Sequence, residues 1–187
     1  MELFFDTETS DMYKFKKPYS DFTQPWIVQL GFIFSERDKI YQEGNLLICA
    51  GERKIASGAE AVHCISVETS NKGGLKQTEV LKLFESLILK ADLLICHNTA
   101  FDMKVLMSNA YNLYSDEAML KLSDPHYQYC TMLNGTHVCK LPGRYGKYKW
   151  PKLQELHKFL FGEEFKDAHD ALADVRACRR CYYEMNK

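Results

Sequence analysis

The sequence predicts an α/β fold in which a mixed sheet is flanked by helices. Three observations support this prediction. Strand-like apolar runs separated by a short turn fill the first part of the chain, and a further short apolar run lies between helical patterns later on. The third is size: 187 residues, 46% of them hydrophobic, suffice to bury a proper core. We therefore expect one domain over 1–187, with a five-stranded sheet of which three strands are antiparallel.

The first three strands are predicted to form an antiparallel meander. Residues 2–10 form an apolar run that ends in polar and acidic residues. Residues 25–34 are rich in β-branched and aromatic side chains and apolar on both faces, which is typical of a central strand. A polar turn at 35–39 leads into a third strand at 40–49, and so short a connection indicates antiparallel pairing.

The remainder of the chain predicts mainly helices. Residues 50–76 are expected to form a loop with one short helical turn, and residues 91–96 a fourth, buried strand. Thr78 is the expected N-cap of the first long helix, and residues 123–149 are expected to be irregular because proline and glycine recur there. Helices are predicted over 78–90, 103–114, 116–122, 150–161 and 168–185.

Composition excludes several classes of protein. The formal net charge of −1 gives no global basic field that would attract nucleic acid nonspecifically. No apolar run is long enough to span a bilayer and the N-terminus has no signal pattern, so we expect a cytosolic protein without a membrane partner. Seven cysteines at irregular spacings predict reduced thiols rather than a disulfide framework.

Two carboxylates end the first strand. Asp6 and Glu8 are two residues apart and therefore project from the same face of a strand. Like charges held so close repel each other and raise each other's pKa unless a cation neutralises them. Since the strand is otherwise apolar, we interpret this pair as the floor of a metal site.

Three further residues complete the candidate site. Asp102 follows the fourth strand, and Asp174 and His169 lie at the start of the last helix. Five positions on a helix rotate by about 140°, so His169 and Asp174 can converge only if His169 precedes the helix, with Asp170 as N-cap. Carboxylate ligands suit Mg²⁺ or Mn²⁺, and several of them suit two ions that clamp an in-line phosphoryl displacement. A nearby histidine could then act as general base toward water.

These residues stand in three motifs: Asp-x-Glu on the first strand, His-Asn-x-x-Phe-Asp after a later strand, and His-x-Ala-x-x-Asp opening a late helix. In order and spacing they resemble the motifs of the DEDDh exonucleases, over nearly the whole chain. That family includes the proofreading subunit of bacterial replicative DNA polymerase and has a ribonuclease H-like fold. The resemblance implies a 3′-to-5′ exonuclease that releases nucleoside 5′-monophosphates from a free 3′ end. We expect DNA as the substrate and single-stranded DNA as the partner, while the preference for single- or double-stranded substrate stays open.

The resemblance also implies roles for individual residues. Asp6, Glu8 and Asp174 would hold a first Mg²⁺ or Mn²⁺, Asp6 and Asp102 a second, and His169 would deprotonate the attacking water. The backbone at Thr7 and Glu8 would meet the terminal 3′-hydroxyl. Further substrate contacts are implied for a Val-His-Cys-Ile run, where cysteine replaces the family's glycine, and for the pocket around Asp102; the residues are His63, Ile65, Asn98 and Phe101.

Several alternatives remain open at this level. The same catalytic residues would serve an exoribonuclease or oligoribonuclease, and a non-catalytic nucleic-acid-binding subunit belongs to another class. A proofreading role would need a polymerase or replication partner. His126, Cys130, His137 and Cys139 are close in sequence and could bind zinc, although packing thiols and surface histidines are the simpler interpretation. The segment 140–152 combines cations with aromatic rings, as in single-strand binding or in a solvated loop.

Overall fold

The structure, a computed structural model, describes all 187 residues. Its centre is a five-stranded sheet in the order β3-β2-β1-β4-β5. The first three strands pair antiparallel, whereas β4 is parallel to β1 and β5 is parallel to β4. The predicted mixed sheet with three antiparallel strands is thus confirmed. The strands are β1 Glu2–Thr9, β2 Ile27–Glu36, β3 Lys39–Leu47, β4 Leu93–Cys96 and β5 Gln128–Cys130.

Eight helices flank the sheet. Two of them, α7 and α8, and the strand residues Phe4, Ile33 and Ile95 share an apolar cluster on one face; α3, α4 and α5 cover the other. No helix is both long enough and apolar enough to cross a bilayer. The helices are α1 Ser57–His63, α2 Val67–Gly73, α3 Gln77–Lys90, α4 Thr99–Asn109, α5 Asp116–Ser123, α6 Thr131–Cys139, α7 Leu153–Phe161 and α8 Ala171–Met185.

One edge of β1 is open beyond its middle. The parallel pairing with β4 ends where Phe4 meets Ile95, while the antiparallel pairing with β2 continues to Thr9. Backbone donors of β1 beyond Phe5 therefore lack a strand partner on the β4 side. Asp6 and Glu8, the predicted acidic residues of β1, lie in this open part of the strand.

The start of α8 lies directly against β2. A Cβ atom on Gly31 would come within 2.4 Å of the carbonyl carbon of Ala171, so only glycine permits this approach. The side chain of Gln29 accepts a hydrogen bond from the backbone N–H of Ala171 at 3.1 Å. The central strand thus fixes the first turn of α8, which carries Asp174.

Most element predictions are confirmed, but several details were wrong. Residues 50–76 hold two helices rather than one turn, and 123–149 contain a strand and a helix where irregular chain was expected. Thr78 does not cap α3, whose N-cap is Lys76 without a side-chain bond. α4 begins at Thr99, so Asp102 lies within its first turn rather than ahead of it. α7 begins after Pro151, not at Trp150.

Candidate active site

A cleft of about 830 Å³ opens at the end of β1. Strand β1, helix α4 and the start of α8 form one wall, and residues 150–154 with Phe165 form the other. The cleft collects residues that are distant in sequence. Eight of the ten predicted site residues line it: Asp6, Thr7, Glu8, Asn98, Phe101, Asp102, His169 and Asp174.

The side chains of Asp6 and Glu8 share the sheet face that α8 covers. Both are partly buried, whereas Thr7 between them is buried toward the other face. Asp6 pairs with Gly31 and Glu8 with Gln29 across the β1–β2 ladder, and both of these β2 residues contact the start of α8. The register between these strands therefore sets how Asp6 and Glu8 face α8.

Asp102 is held by the open edge of β1. Its side chain is buried, and its Oδ1 accepts hydrogen bonds from the backbone N–H of Thr7 at 3.1 Å and from the Thr7 hydroxyl at 2.8 Å. Thr7 was expected to present its backbone to a substrate hydroxyl. In the structure its N–H is bonded to Asp102, and Thr7 positions that carboxylate.

The start of α8 brings His169 and Asp174 together as predicted. Asp170 is the N-cap, with its side chain accepting from the backbone N–H of Ala173 at 3.0 Å. His169 precedes the helix with a φ of 73°, and its N–H donates to Asp174 Oδ2 at 3.1 Å. Ligand atoms of Glu8, His169 and Asp174 all lie within 4.8 Å of one another.

Asp170 also ties this turn to the sheet. Its Oδ2 accepts hydrogen bonds from the side-chain amides of Gln29 at 3.2 Å and Asn45 at 2.7 Å. The geometry of His169 and Asp174 therefore depends on β2 and β3 as well as on helix α8. The role of Gln29 and Asn45 has no local signal in the sequence.

Burial and mutual repulsion raise the pKa of all four carboxyl groups. Desolvation is the largest cause at each residue. It raises the pKa of Asp6 well above its usual range, that of Glu8 to about 8, that of Asp102 to about 7 and that of Asp174 to about 6. The hydrogen bonds from Thr7 and His169 counteract this increase at Asp102 and Asp174.

The donor set fits divalent cations. None of the ion pairs of the structure includes Asp6, Glu8, Asp102 or Asp174, so no lysine or arginine neutralises them. Clustered carboxylates without a basic partner favour protonation or a bound cation. Oxygen donors of this kind suit hard ions such as Mg²⁺ and Mn²⁺.

His63 and Ile65 do not line the cleft. They lie at the end of α1, and the Nδ1 atom of His63 accepts a hydrogen bond from the backbone N–H of Ile65 at 3.0 Å. This bond places the ring proton on Nε2, which has no partner although the residue is only 7% exposed. Between them Cys64 has a φ of 58°, in the left-handed region that glycine favours. Cys64 thus occupies a backbone conformation that a glycine would adopt more readily.

His97 fixes the second wall of the cleft. Its Nε2 bonds to the carbonyl oxygen of Pro151 at 3.0 Å and its Nδ1 to the hydroxyl of Thr131 at 3.0 Å. Burial lowers the pKa of His97 to about 4, so the ring is neutral at pH 7. Met132, Gln154 and Phe165 also line this wall and were not predicted. Gln154 holds the chain at Phe165 through two hydrogen bonds, a contact without a sequence signal.

The cysteine and histidine group at 126–139 does not converge. Cys130 and Cys139 are buried in the core, whereas His126 and His137 are exposed. All seven cysteines are free, as predicted. Glu8, His169 and Asp174 form the one group of three or more histidine, cysteine or acidic residues close enough to share an ion.

Comparison with known proteins gives matches at the level of structure. No family model matches the chain, and no curated protein matches its sequence. A structure of exonuclease I described for its processivity superposes with a TM-score of 0.74 at 19% identity, covering 98% of this chain and 40% of that one. E. coli exonuclease I with a dT13 oligonucleotide gives 0.74 at 18% identity, covering 98% and 40%. The zinc-bound E. coli exonuclease I complex with single-stranded DNA gives 0.71 at 21%, covering 97% and 39%.

These similarities show the fold. The mixed five-stranded sheet flanked by helices is the ribonuclease H-like architecture of exonuclease I, as predicted. The chain spans about 40% of the length of the exonuclease I chains that it matches.

Proposed function

We propose that this chain is a metal-dependent 3′-to-5′ exonuclease that hydrolyses phosphodiester bonds at the 3′ end of single-stranded DNA. The observation that carries the proposal is the convergence of Glu8, His169 and Asp174 in one cleft with Asp6 and Asp102. No cation of the chain neutralises these acids. The exonuclease I fold supports the same reaction class, and two of the three structures compared above hold single-stranded DNA.

The four carboxylates would hold two divalent ions, Mg²⁺ or Mn²⁺. Asp6, Glu8 and Asp174 are the proposed ligands of the first ion, and Asp6 and Asp102 of the second. When bound, such ions neutralise charge on the phosphate and stabilise the attacking and leaving oxygens. Thr7 keeps Asp102 in position with two hydrogen bonds.

His169 is the proposed general base. It accepts a proton from the water that attacks the terminal phosphorus, the bond to the 3′ oxygen of the preceding nucleotide breaks, and that oxygen takes up a proton from solvent to become the new 3′-hydroxyl. The products are a nucleoside 5′-monophosphate and a strand shortened by one nucleotide. The hydrogen bond between the His169 N–H and Asp174 couples the base to a proposed metal ligand, and the imidazole is exposed and free to approach water.

Two pairs of residues are candidates for binding the terminal nucleotide. Phe101 and Asn98 line the cleft beside Asp102, whereas His63 and Ile65 lie outside its lining, and the buried ring N–H of His63 has no hydrogen-bond partner. We propose that these residues bind the terminal base and sugar. A proofreading role, similar to that of the family's polymerase subunit, would further require a polymerase or replication partner chain.

Asp174→Ala is the variant that tests the assignment. It removes a proposed metal ligand from the partly buried start of α8, so hydrolysis of a 5′-labelled single strand should fall by at least about 10³-fold. The assay compares Mg²⁺, Mn²⁺ and chelator, on DNA and on RNA of the same sequence. Asp116→Ala, which removes an exposed acid at the start of α5, is the matched control.

The outcomes of this assay separate the alternatives. A metal-dependent ladder that shortens from the 3′ end, faster on DNA, is expected. A faster ladder on RNA would assign an exoribonuclease instead. Turnover retained in Asp174→Ala would refute its role as a ligand, and binding without hydrolysis by the unmodified protein would refute the enzyme.

A further inference from the structure

A hairpin beside the cleft carries an unusual concentration of charge and rings. We name residues 140–152, between α6 and α7, the basic arm. The chain as a whole is almost neutral, yet this arm has five cationic residues and no acid. The cations are Lys140, Arg144, Lys147, Lys149 and Lys152.

The arm is an ordered hairpin rather than an irregular loop. Gly143 N–H donates to the carbonyl of Lys147 at 2.9 Å and Lys149 N–H donates to Leu141 at 3.0 Å, with an antiparallel bridge between Pro142 and Tyr148. Its tip turns through two residues with positive φ, Tyr145 and Gly146. The backbone of the arm therefore has a defined hairpin shape before any ligand binds.

The aromatic rings of the arm have no partner in the chain. Tyr145 is 97% exposed, Trp150 65% and Tyr148 49%. None of the three takes part in the aromatic pairs or cation–ring contacts of the structure, although many other rings do. Rings exposed in succession on one hairpin offer stacking surfaces to a ligand.

The cations of the arm are also mostly unpaired. Lys149 pairs with Glu155 at 2.5 Å, whereas Lys140, Arg144, Lys147 and Lys152 take part in no ion pair. Four free cations that alternate with exposed rings match the backbone charge and the bases of a single strand. An acidic peptide would explain the cations but not the rings.

The base of the arm belongs to the wall of the cleft. Trp150, Pro151 and Lys152 line the same cleft as the carboxylates. The bond from His97 to the Pro151 carbonyl fixes this end of the arm to the strand that precedes α4. A single strand of DNA whose 3′ end lies among the carboxylates can thus continue directly onto the arm.

From this placement we propose that the basic arm binds the single strand upstream of the scissile bond, with its cations at phosphates and its rings stacked on bases. This inference rests on the proposed function, since it places the 3′ end in the cleft. It assigns substrate binding to residues outside the three motifs. It also favours single-stranded over double-stranded substrate, because paired bases are not free to stack on the rings.

The test compares two variants with the same loss of charge. The arm variant is Arg144→Gln, Tyr145→Ser and Lys147→Gln, three exposed residues at the tip. The control is Lys72→Gln with Lys82→Gln, exposed residues of α2 and α3 that form no ion pair. Each protein is assayed with Mn²⁺ on a 20-nucleotide single strand and on thymidine 5′-monophosphate p-nitrophenyl ester, which reaches only the cleft.

The arm variant should lose its advantage on the long strand. We expect the ratio of kcat/KM on the strand to kcat/KM on the ester to fall at least about tenfold, mainly through KM, since one stacked base and two phosphate contacts are lost. Loss of two phosphate contacts should reduce the salt slope of strand binding, measured in chelator, by about 1.4. The control should keep both quantities.

The outcomes keep the two proposals apart. An unchanged ratio and salt slope in the arm variant, or equal losses in the control, would overturn the role of the arm while leaving the exonuclease intact. If the unmodified protein hydrolyses neither substrate, the proposed function fails, and the binding titration in chelator still decides whether the arm holds a single strand. In a competition experiment, an acidic polypeptide should displace the bound single strand less well than unlabelled DNA does. Better displacement by the polypeptide would assign the arm to a protein partner.

Discussion

Replacement of Glu8 by glutamine should stabilise the metal-free protein at alkaline pH. Glu8 is partly buried beside Asp174 and Asp102 without a cationic partner. Its pKa rises from 4.5 to about 8 on folding, mainly through desolvation. Folding therefore favours the protonated acid. As far as Glu8 is concerned, the free energy of unfolding is highest below the unfolded-state pKa of about 4.5. It falls progressively as pH rises from about 4.5 to about 8.

The size of the effect follows from this change in proton affinity. Each tenfold change in the proton affinity of Glu8 corresponds to about 1.4 kcal/mol. The rise in pKa from 4.5 to about 8 therefore sets an upper limit of about 5 kcal/mol on the stability lost at pH 8.5. Glu8 keeps some contact with solvent, so we expect about 1–3 kcal/mol. For a chain of this length 1 kcal/mol shifts Tm by about 2–4 °C, which gives a Tm increase of about 2–12 °C for Glu8→Gln.

The assay is thermal unfolding followed by circular dichroism in chelator at pH 5.0 and pH 8.5. The increase in Tm should be present at pH 8.5 and nearly absent at pH 5.0, where the native carboxyl group is already protonated. Glu52→Gln is the matched control, because Glu52 is exposed and forms no hydrogen bond or ion pair. Added Mg²⁺ should stabilise the unmodified protein more than Glu8→Gln.

Two results would refute this reasoning. A Tm of Glu8→Gln at pH 8.5 no higher than that of Glu52→Gln would show that the carboxylates do not repel each other in the fold. A decrease in Tm would show that the ionised Glu8 has a stabilising partner. Either result would remove the electrostatic argument for a bound cation.

Two backbone positions give further predictions. Gly31→Ala should destabilise the protein by about 1–3 kcal/mol or more, because its Cβ would meet the Ala171 backbone at 2.4 Å. Urea unfolding measures this, and Gly58→Ala, where nothing lies within 4 Å, should be neutral or gain up to about 1 kcal/mol. Cys64→Gly should gain about 0.5–1 kcal/mol by relieving a φ of 58°, whereas Cys64→Ala should not; an equal urea midpoint for both would contradict the strain at this position.

Local patterns predicted most of the fold. The apolar runs of β1 and β2 and the helical spacing of α3 depend on neighbouring residues, which the sequence displays directly. Strand β5 was missed because three residues are too few for a periodic pattern, and its pairing with β4 joins segments about 30 residues apart. Thr78 is not the N-cap for a different reason, because the helix already begins one residue before it, at Gln77.

The residues that line the candidate site were predictable from the sequence, whereas the residues that hold them in position were not. Asp6, Glu8 and Asp174 show as acids at the ends of elements, and the position of His169 follows from helix geometry. The positioning roles of Thr7 and Gln29 have no signal in the sequence. Thr7 bonds to Asp102 across 95 positions, and Gln29 bonds to Asp170 across 141.

These long-range supports bear on how the site works. The hydrogen bonds of Thr7 hold Asp102, and those of Gln29 and Asn45 hold Asp170 at the start of α8. The carboxylates are therefore positioned by the fold itself, although their repulsion opposes that arrangement. If the site binds a divalent cation as proposed, the carboxylates would need less reorganisation to receive it. The stability lost at high pH and the proposed affinity for the ion would then have the same physical origin.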